Sequence, residues 1–258
     1  MPINVPSVSL DHLEAAPLKV AVAQVRYSPV HAVEKRDLVA DFESRLAAGY
    51  VAQDAQTSQT LTIQIGSGPP PVSLAPPAVA DTVWPFKDEG RGYLVSLGNS
   101  SLAVEADATY HDFPQFLEEF SAAVHACADI FGPKREVRLG LRYINELADD
   151  RLRDDVRTIV NKDLAAPVGT AIRGGLLRSL AELQVAEPLG TFVIRHGLVE
   201  DATYLLDFDY FSEAQRDFDP ATVIETAEEF HARIEPFFVW ALNPDYLAEL
   251  KNRGRDAG

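Results

Sequence analysis

The segment from Glu136 to Glu146 alternates so regularly that it reads as a strand. Val137, Leu139, Leu141 and Tyr143 fall on one face, with Arg138, Gly140, Arg142 and Ile144 on the other, because successive side chains of a strand point to opposite sides. The first face is ordinary core. The second sets two guanidinium groups about a glycine, whose missing side chain lets a backbone or a ligand approach. Such a strand needs neighbours, and similar segments recur along the chain. Leu18 to Tyr27 alternates Leu18, Val20 and Val22 with Lys19, Ala21 and Ala23, and Pro29 ends it. Leu61 to Ile65 is a second strand, followed by a Gly- and Pro-rich connector from Gly66 to Pro77 that reads as a stiff surface crossing, with docking on an aromatic-lined groove as the other use of such a run. Thr82–Phe86, Gly92–Leu97 and Ser101–Ala106 form a meander, with a tight turn at Gly98-Asn99. Phe192–His196 and Tyr204–Phe211 pair around Gly197 to Asp201, while Leu176 to Gln184 suits strand or helix equally.

Helical periodicity separates these strands. Glu34 to Leu46 places Leu38, Val39, Phe42 and Leu46 on one side. A longer stripe runs through Phe113, Phe116, Leu117, Phe120, Val124, Cys127 and Phe131 and stops at Gly132-Pro133. Asp219-Pro220 is a cap followed by a proline at the first helical position, and it opens a helix through Val223, Ala227, Phe230 and Ile234. A kink or break is expected at Pro236. Val156 to Leu164 reads as a short helix, and the tail after Leu250 should fray. These elements predict an α+β fold: a mainly antiparallel sheet with long amphipathic helices on one face. The charged connector Asp149 to Asp155 divides the chain into an N-terminal α+β half (1–148) and a C-terminal α+β half (149–258), expected to form one integral unit. Asp107-Ala108-Thr109-Tyr110 is repeated as Asp201-Ala202-Thr203-Tyr204, and Glu118-Glu119-Phe120 as Glu228-Glu229-Phe230. The offsets differ, so any duplication has been interrupted.

Composition narrows the function. Lys and Arg number 23 against 39 Asp and Glu, a formal net charge of −16 without a basic run to offset it. Such a surface repels phosphate backbones at long range, so no nucleic-acid partner is expected. A single cysteine, Cys127, cannot form an internal disulfide and suits a reducing, cytoplasmic setting. Neither a leader pattern nor an apolar run long enough for a bilayer is present, so no membrane association is expected.

No Gly-x-Gly-x-x-Gly, Walker loop, His-Glu-x-x-His, Gly-x-Ser-x-Gly or Cys-x-x-Cys occurs. No catalytic residue, metal-ligand set or cofactor is therefore expected. The six histidines, His125 and His231 in the two long helices among them, lack metal-ligand spacing and read as structural or surface residues. Cys127 lies on an apolar stripe and reads as an inert, buried thiol. Asp207 and Asp209 share one strand face opposite Tyr204, Leu206, Phe208 and Tyr210. They suit acid/base work, a cation or a solvated face, and if Arg138 and Arg142 lie on the same sheet face the four side chains form an ion network. Trp84-Pro85-Phe86 and Phe237, Phe238 and Trp240 are large apolar anchors, suited to core packing or to an interface.

Pro17-Leu18-Lys19-Val20, Trp84 with Phe86 and Gly92, Tyr110 with Phe116, Gly140-Leu141-Arg142-Tyr143-Ile144-Asn145, and Asp207-Phe208-Asp209 followed by His231 and Phe237 carry a resemblance spanning nearly the whole chain. The sequence resembles a sporadically distributed prokaryotic family of unknown function, and through it is similar to peptide-binding accessory proteins of ribosomal-peptide, crocagin-like biosynthesis. The resemblance implies a non-catalytic peptide- or protein-binding accessory protein. An enzyme acting on a peptide or small acid through an Arg/Asp cleft stays open beside it, as do an interaction subunit of a defence or regulatory assembly and a homo-oligomer. The candidate binding residues are Arg138, Arg142, Asn145, Asp207, Asp209 and Trp84.

Overall fold

Two strands that each bury one alternating face meet at the middle of the protein. The computed structural model describes residues 5, 13, 16–58, 81–165, 176, 178–199 and 202–253. Its strands are β1 (Leu18–Tyr27), β2 (Val51–Ala52), β3 (Gln56–Ser58), β4 (Asp81–Asp88), β5 (Tyr93–Gly98), β6 (Ser101–Ala106), β7 (Arg135–Ala148), β8 (Ala181–Glu187), β9 (Gly190–Leu198), β10 (Thr203–Ser212) and β11 (Arg216–Asp217). Its α-helices are α1 (Arg36–Arg45), α2 (Phe113–Phe131), α3 (Lys162–Ala165), α4 (Pro220–Ala241) and α5 (Pro244–Arg253). All strand pairings are antiparallel and join one sheet in the order β2-β4-β5-β6-β1-β7-β10-β9-β8, with β3 on β4 and β11 on β7. The chain is thus a mixed α and β protein on an antiparallel sheet, as its alternation predicts. The strand and Pro-rich connector expected over 61–77 lie outside the described residues.

β1 and β7 pair at the centre, and each also pairs with the last strand of a meander, β6 and β10 respectively. Leu139, Leu141, Tyr143 and Leu147 of β7 are buried on the side of α2 and α4. Two bulges correct the simple alternation. The register slips between Arg26 and Tyr27, which pair with Arg138 and Glu136, so Val137 is the extra residue and stands 36% exposed rather than in the core. Glu136 is buried in its place and accepts from Arg216 Nε and Nη2 at 2.9 and 3.2 Å. A second slip at Lys19 lets Leu18 and Ala21 both face inward. Beyond it Ala21, Ala23, Val25 and Tyr27 are buried, while Val20 and Val22 are only half-buried on the opposite face.

Both long helices start on the same device. Asp112 accepts from Gln115 N–H at 2.8 Å with Pro114 beside it, and Asp219 accepts from Thr222 N–H at 3.0 Å with Pro220 beside it. α2 ends on Gly132, whose φ of 55° is the left-handed conformation that a glycine tolerates best. It buries Phe116, Phe120, Val124, Cys127 and Phe131. Glu119, also buried, is reached by Arg91 from the β4–β5 turn and by Tyr50 Oη at 3.0 Å, which ties the helix to that hairpin. α4 does not break at Pro236 but continues to Ala241. Phe237 sits edge-on to Phe192 and Phe208, 5.3 Å from each ring, and this packing holds the turn after the proline.

Smaller differences have local causes. The β5–β6 turn is Asn99-Ser100, one residue later than expected, and Tyr27 Oη clamps it by donating to Gly98 O at 2.8 Å. Ala181–Glu187 is a strand, resolving the ambiguity of that segment. Residues 156–164 divide into a 3-10 turn, Val156–Thr158, and the short α3. Gly197 has φ 150°, and a Cβ there would run into the Ser179 carbonyl oxygen.

Leu141→Ala, at a site with no exposure, should cost about 2–5 kcal/mol in urea unfolding, as large-to-small changes in a core do. Ile144→Ala, on the half-buried face three residues away, should cost clearly less; equal losses would contradict the assignment of faces.

Candidate functional site

The sequence-predicted site residues separate into three places. On the sheet face away from α2 and α4, the β7–β10 register sets Asp209 opposite Arg142, Phe211 opposite Gly140 and Asp207 opposite Ile144. Arg142 leans along the sheet to Asp207, giving Nε–Oδ1 and Nη2–Oδ2 distances of 2.7 Å. This is the two-pronged geometry that a planar guanidinium makes with a carboxylate. Arg195 of β9 lies opposite Asp207, reaches Oδ2 at 3.5 Å and holds Glu182 of β8 at 2.6 Å. Asp207 has no exposure. Burial works against the charge of Arg142, and the Asp207 carboxylate more than offsets it, holding that guanidinium above its ordinary pKa.

Arg138 and Asp209 are held more loosely. Their closest approach is 3.8 Å. The Arg138 guanidinium folds back over Gly140, where a Cβ would lie 2.8 Å from Nη1, and stacks 4.5 Å from the Phe211 ring centre. Gly140 therefore makes room for this arginine, a sharper role than general access. Burial lowers the pKa of Arg138 and raises that of Asp209, in the second case despite Arg138 and Arg142 nearby.

Trp84 is remote from this network. Its indole N–H donates to Val33 O at 3.0 Å, and Arg36 lies 5.9 Å from its ring. Asn145 belongs to the other side of the sheet. It is 4% exposed, and its Nδ2 donates to Leu206 O at 3.3 Å.

Asn145 opens onto a cavity of about 340 Å³ between the N-terminal end of α2, the middle of α4 and the sheet. Leu13, Ala16, Leu18, Phe208, Ile234 and Phe238 give it an apolar lining. Tyr110, Phe113, Tyr143 and His231 form an aromatic wall. The His231 ring stacks on Phe113 at 3.8 Å and 9°, and its Nδ1 lies 3.1 Å from Tyr143 Oη. In the neutral tautomer whose Nδ1 accepts from Tyr143, Nε2–H is the ring's one donor. Burial pushes His231 down to about 4. Burial also raises Tyr143, with the Tyr110 hydroxyl and the Glu235 carboxylate adding to it. Tyr110 is raised by burial, and further by Asp112 and Glu235. At neutral pH the wall is an uncharged imidazole and two protonated phenols, with Tyr143 touching both His231 and Tyr110, edged by Asp112 and Glu235.

Without metal-ligand spacing, His231 carries no motif that sets it apart from a structural or surface histidine. The signal that marks it is its place three residues before Ile234 and four after Ala227, on the apolar stripe of α4. Cys127 is buried, and burial pushes its thiol up to about 12. Among the described residues no group of three or more His, Cys, Asp or Glu side chains could hold a metal ion. No helix among them is long and apolar enough to cross a membrane. No model of a known protein family matches the chain, and no curated protein matches it. Fold and site together define an antiparallel α+β protein with a side-chain-sized cavity between helices and sheet.

Two measurements test this geometry. Asp207→Ala strands Arg142 and should cost about 3–5 kcal/mol, as loss of one partner from a buried pair does; Asp209→Ala, at the looser pair, should cost less in the same unfolding assay. In an NMR titration the His231 ring should change protonation near pH 4, not at 6.5. Because the unfolded chain takes up that proton first, His231 adds stability above pH 6.5 that is lost as pH falls toward 4. A midpoint near 6.5 would mean that the ring is not in the cavity wall.

Proposed function

We propose that this chain is a non-catalytic binding protein that takes an apolar side chain of a peptide or protein partner into the cavity between α2, α4 and the sheet. The cavity itself carries the reading. At about 340 Å³ it lies at the lower end of ligand-site sizes, suited to one large side chain. Its apolar lining supplies affinity, while Asn145 and the Tyr143–His231 pair are polar groups that can fix orientation. The family resemblance supplies the proposed setting: an accessory peptide-binding component of ribosomal-peptide natural-product biosynthesis, working in the cytoplasm. Service in a defence or regulatory assembly is a second role that the same cavity would suit.

An enzyme acting through Arg138, Arg142, Asp207 and Asp209 is the alternative. A general base must reach substrate with a lone pair to spare. Asp207 has no exposure, and Arg142 occupies both its oxygens. That favours a structural role for this network over a reactive one.

We also read the chain as two related halves, each a strand, a helix, a meander and a long amphipathic helix on one sheet face. The pairings of β1 with β6 and of β7 with β10 support it. Aligning the caps Asp112 and Asp219 sets Phe116, Phe120, Ala123, Cys127 and Phe131 on Val223, Ala227, Phe230, Ile234 and Phe238, all buried. On this reading the junction falls between α2 and β7, ahead of residue 148. The repeated tetrapeptide is then coincidental, since Asp107–Tyr110 follows β6 while Ala202–Tyr204 leads into β10.

Selection from a displayed library of random heptapeptides should enrich sequences with one aromatic or branched aliphatic anchor. Ile234→Phe, which narrows the cavity, should weaken the selected peptides about 10- to 100-fold by calorimetry, the range of an anchor residue. Arg138→Ala, on the far sheet face, should leave them unchanged. Equal binding to the Ile234→Phe protein, with its circular dichroism intact, would refute the cavity as the site.

A further inference from the structure

β8 stands last in the sheet order, beside β9, and its side chains are exposed as those of an end strand are. Ala181, Glu182, Leu183, Gln184 and Ala186 are all exposed, and they come from both faces of the strand. Leu183, a large apolar side chain, is 47% exposed. Every second residue of an end strand turns its N–H and C=O toward the outer edge, a template on which another strand can pair. Proteins that keep such an edge from other chains use lysine, proline or a bulge there. Residues 181–187 contain neither lysine nor proline, and their register with β9 runs without a slip. The two carboxylates of β8 are answered from within the chain. Glu182 accepts from Arg195 Nε at 2.6 Å and from Gln184 Nε2 at 2.9 Å, while Glu187 is nearly buried and lies 3.9 Å from Arg233.

We propose that β8 pairs antiparallel with β8 of a second copy of this chain, about a two-fold axis at Gln184, so that two sheets join into one. A two-fold contact places each residue opposite its counterpart reflected through the axis. With the axis at Gln184 all seven residues find a partner: Leu183 falls opposite Val185 of the second copy, Glu182 opposite Ala186, Ala181 opposite Glu187, and Gln184 opposite itself. Carboxylate then never faces carboxylate across the axis. Leu183 and Val185 border Ile194 and Phe192 of β9, and meeting the same two residues of the second copy extends that apolar row across the axis. Such cross-strand apolar pairs are what stabilise a sheet. A foreign strand could satisfy the edge hydrogen bonds equally well; the symmetry of β8 about Gln184 is what selects a copy of itself. The −16 charge on each copy opposes their approach, so the contact tightens as salt screens it. The cavity has its floor on β7 and β10, and this contact does not depend on what enters it.

Sedimentation velocity on the full chain, from about 5 to about 500 µM, should show monomer giving way to dimer, with a lower dissociation constant in about 0.5 M than in about 0.05 M sodium chloride. Leu183→Lys sets an ammonium on the edge at an exposed site and should raise that constant at least about tenfold with the circular dichroism unchanged, while Leu183→Ile should hold it within about threefold. Gln184→Cys, lying on the axis, should cross-link to the second copy under mild oxidation. Ala181→Cys, which the axis places about 20 Å from its counterpart, should not, and Cys127 is buried. A chain that stays monomeric throughout, whether β8 is bare or taken by a foreign strand, overturns the proposal. A dimer that Leu183→Lys leaves as tight overturns it too, as does cross-linking through Ala181→Cys in place of Gln184→Cys.

Discussion

The antiparallel pairing of β1 with β7 is the constraint from which the rest of the architecture follows. Each of these strands pairs on its outer side with a meander, so their common register sets which side chains across the whole sheet meet the helices. Because the side-chain period of a strand is two, a slip of one residue would send Leu139, Leu141 and Tyr143 to the opposite face and bring the arginines under α2 and α4. The bulges at Lys19 and Val137 act at the two ends of this pairing. They turn Leu18 and Glu136 inward without disturbing the register between.

The sheet consequently has two faces of different chemistry. One carries Arg138, Arg142, Arg195, Asp207 and Asp209, where nearly every charge is answered by another. A fully buried carboxylate is tolerable only with such partners, and Arg142 and Arg195 meet that need for Asp207. The other face is apolar core up to the point where α2 begins and α4 passes. There the packing leaves a cavity, and the polar groups on its wall are an imidazole held neutral by burial and phenols held protonated. An uncharged polar wall of imidazole and phenols distinguishes this site from the network of paired charges across the sheet.

Much of the fold was legible in the sequence because local rules act there without competition. The Asp219-Pro220 cap, the Gly132 stop and the alternation in β5, β6, β9 and β10 depend on neighbours a few residues away. The errors fall where distant contacts overrode a local rule. Val137 fits an apolar strand pattern, but pairing with β1 requires one residue too many at that point. Pro236 lacks the N–H of a helix interior, yet Phe237 seated between Phe192 and Phe208 carries the helix past it. Val20 and Val22 look more like core than Ala21 and Ala23, but the bulge at Lys19 sets the small residues inward.

By itself the sequence determined an antiparallel α+β chain with two capped helices, an acidic balance and two charged pairs on strand faces, since propensity, period and charge are properties of short segments. Only the tertiary structure decided that Arg142 serves Asp207, that Asn145 looks away from the arginines beside it in sequence, and that His231 joins Tyr143 and Phe113 in a cavity wall. The physical reason is distance along the chain. Tyr143 and His231 are 88 residues apart, and a contact of that span exists only after the sheet has closed and α4 has packed across it.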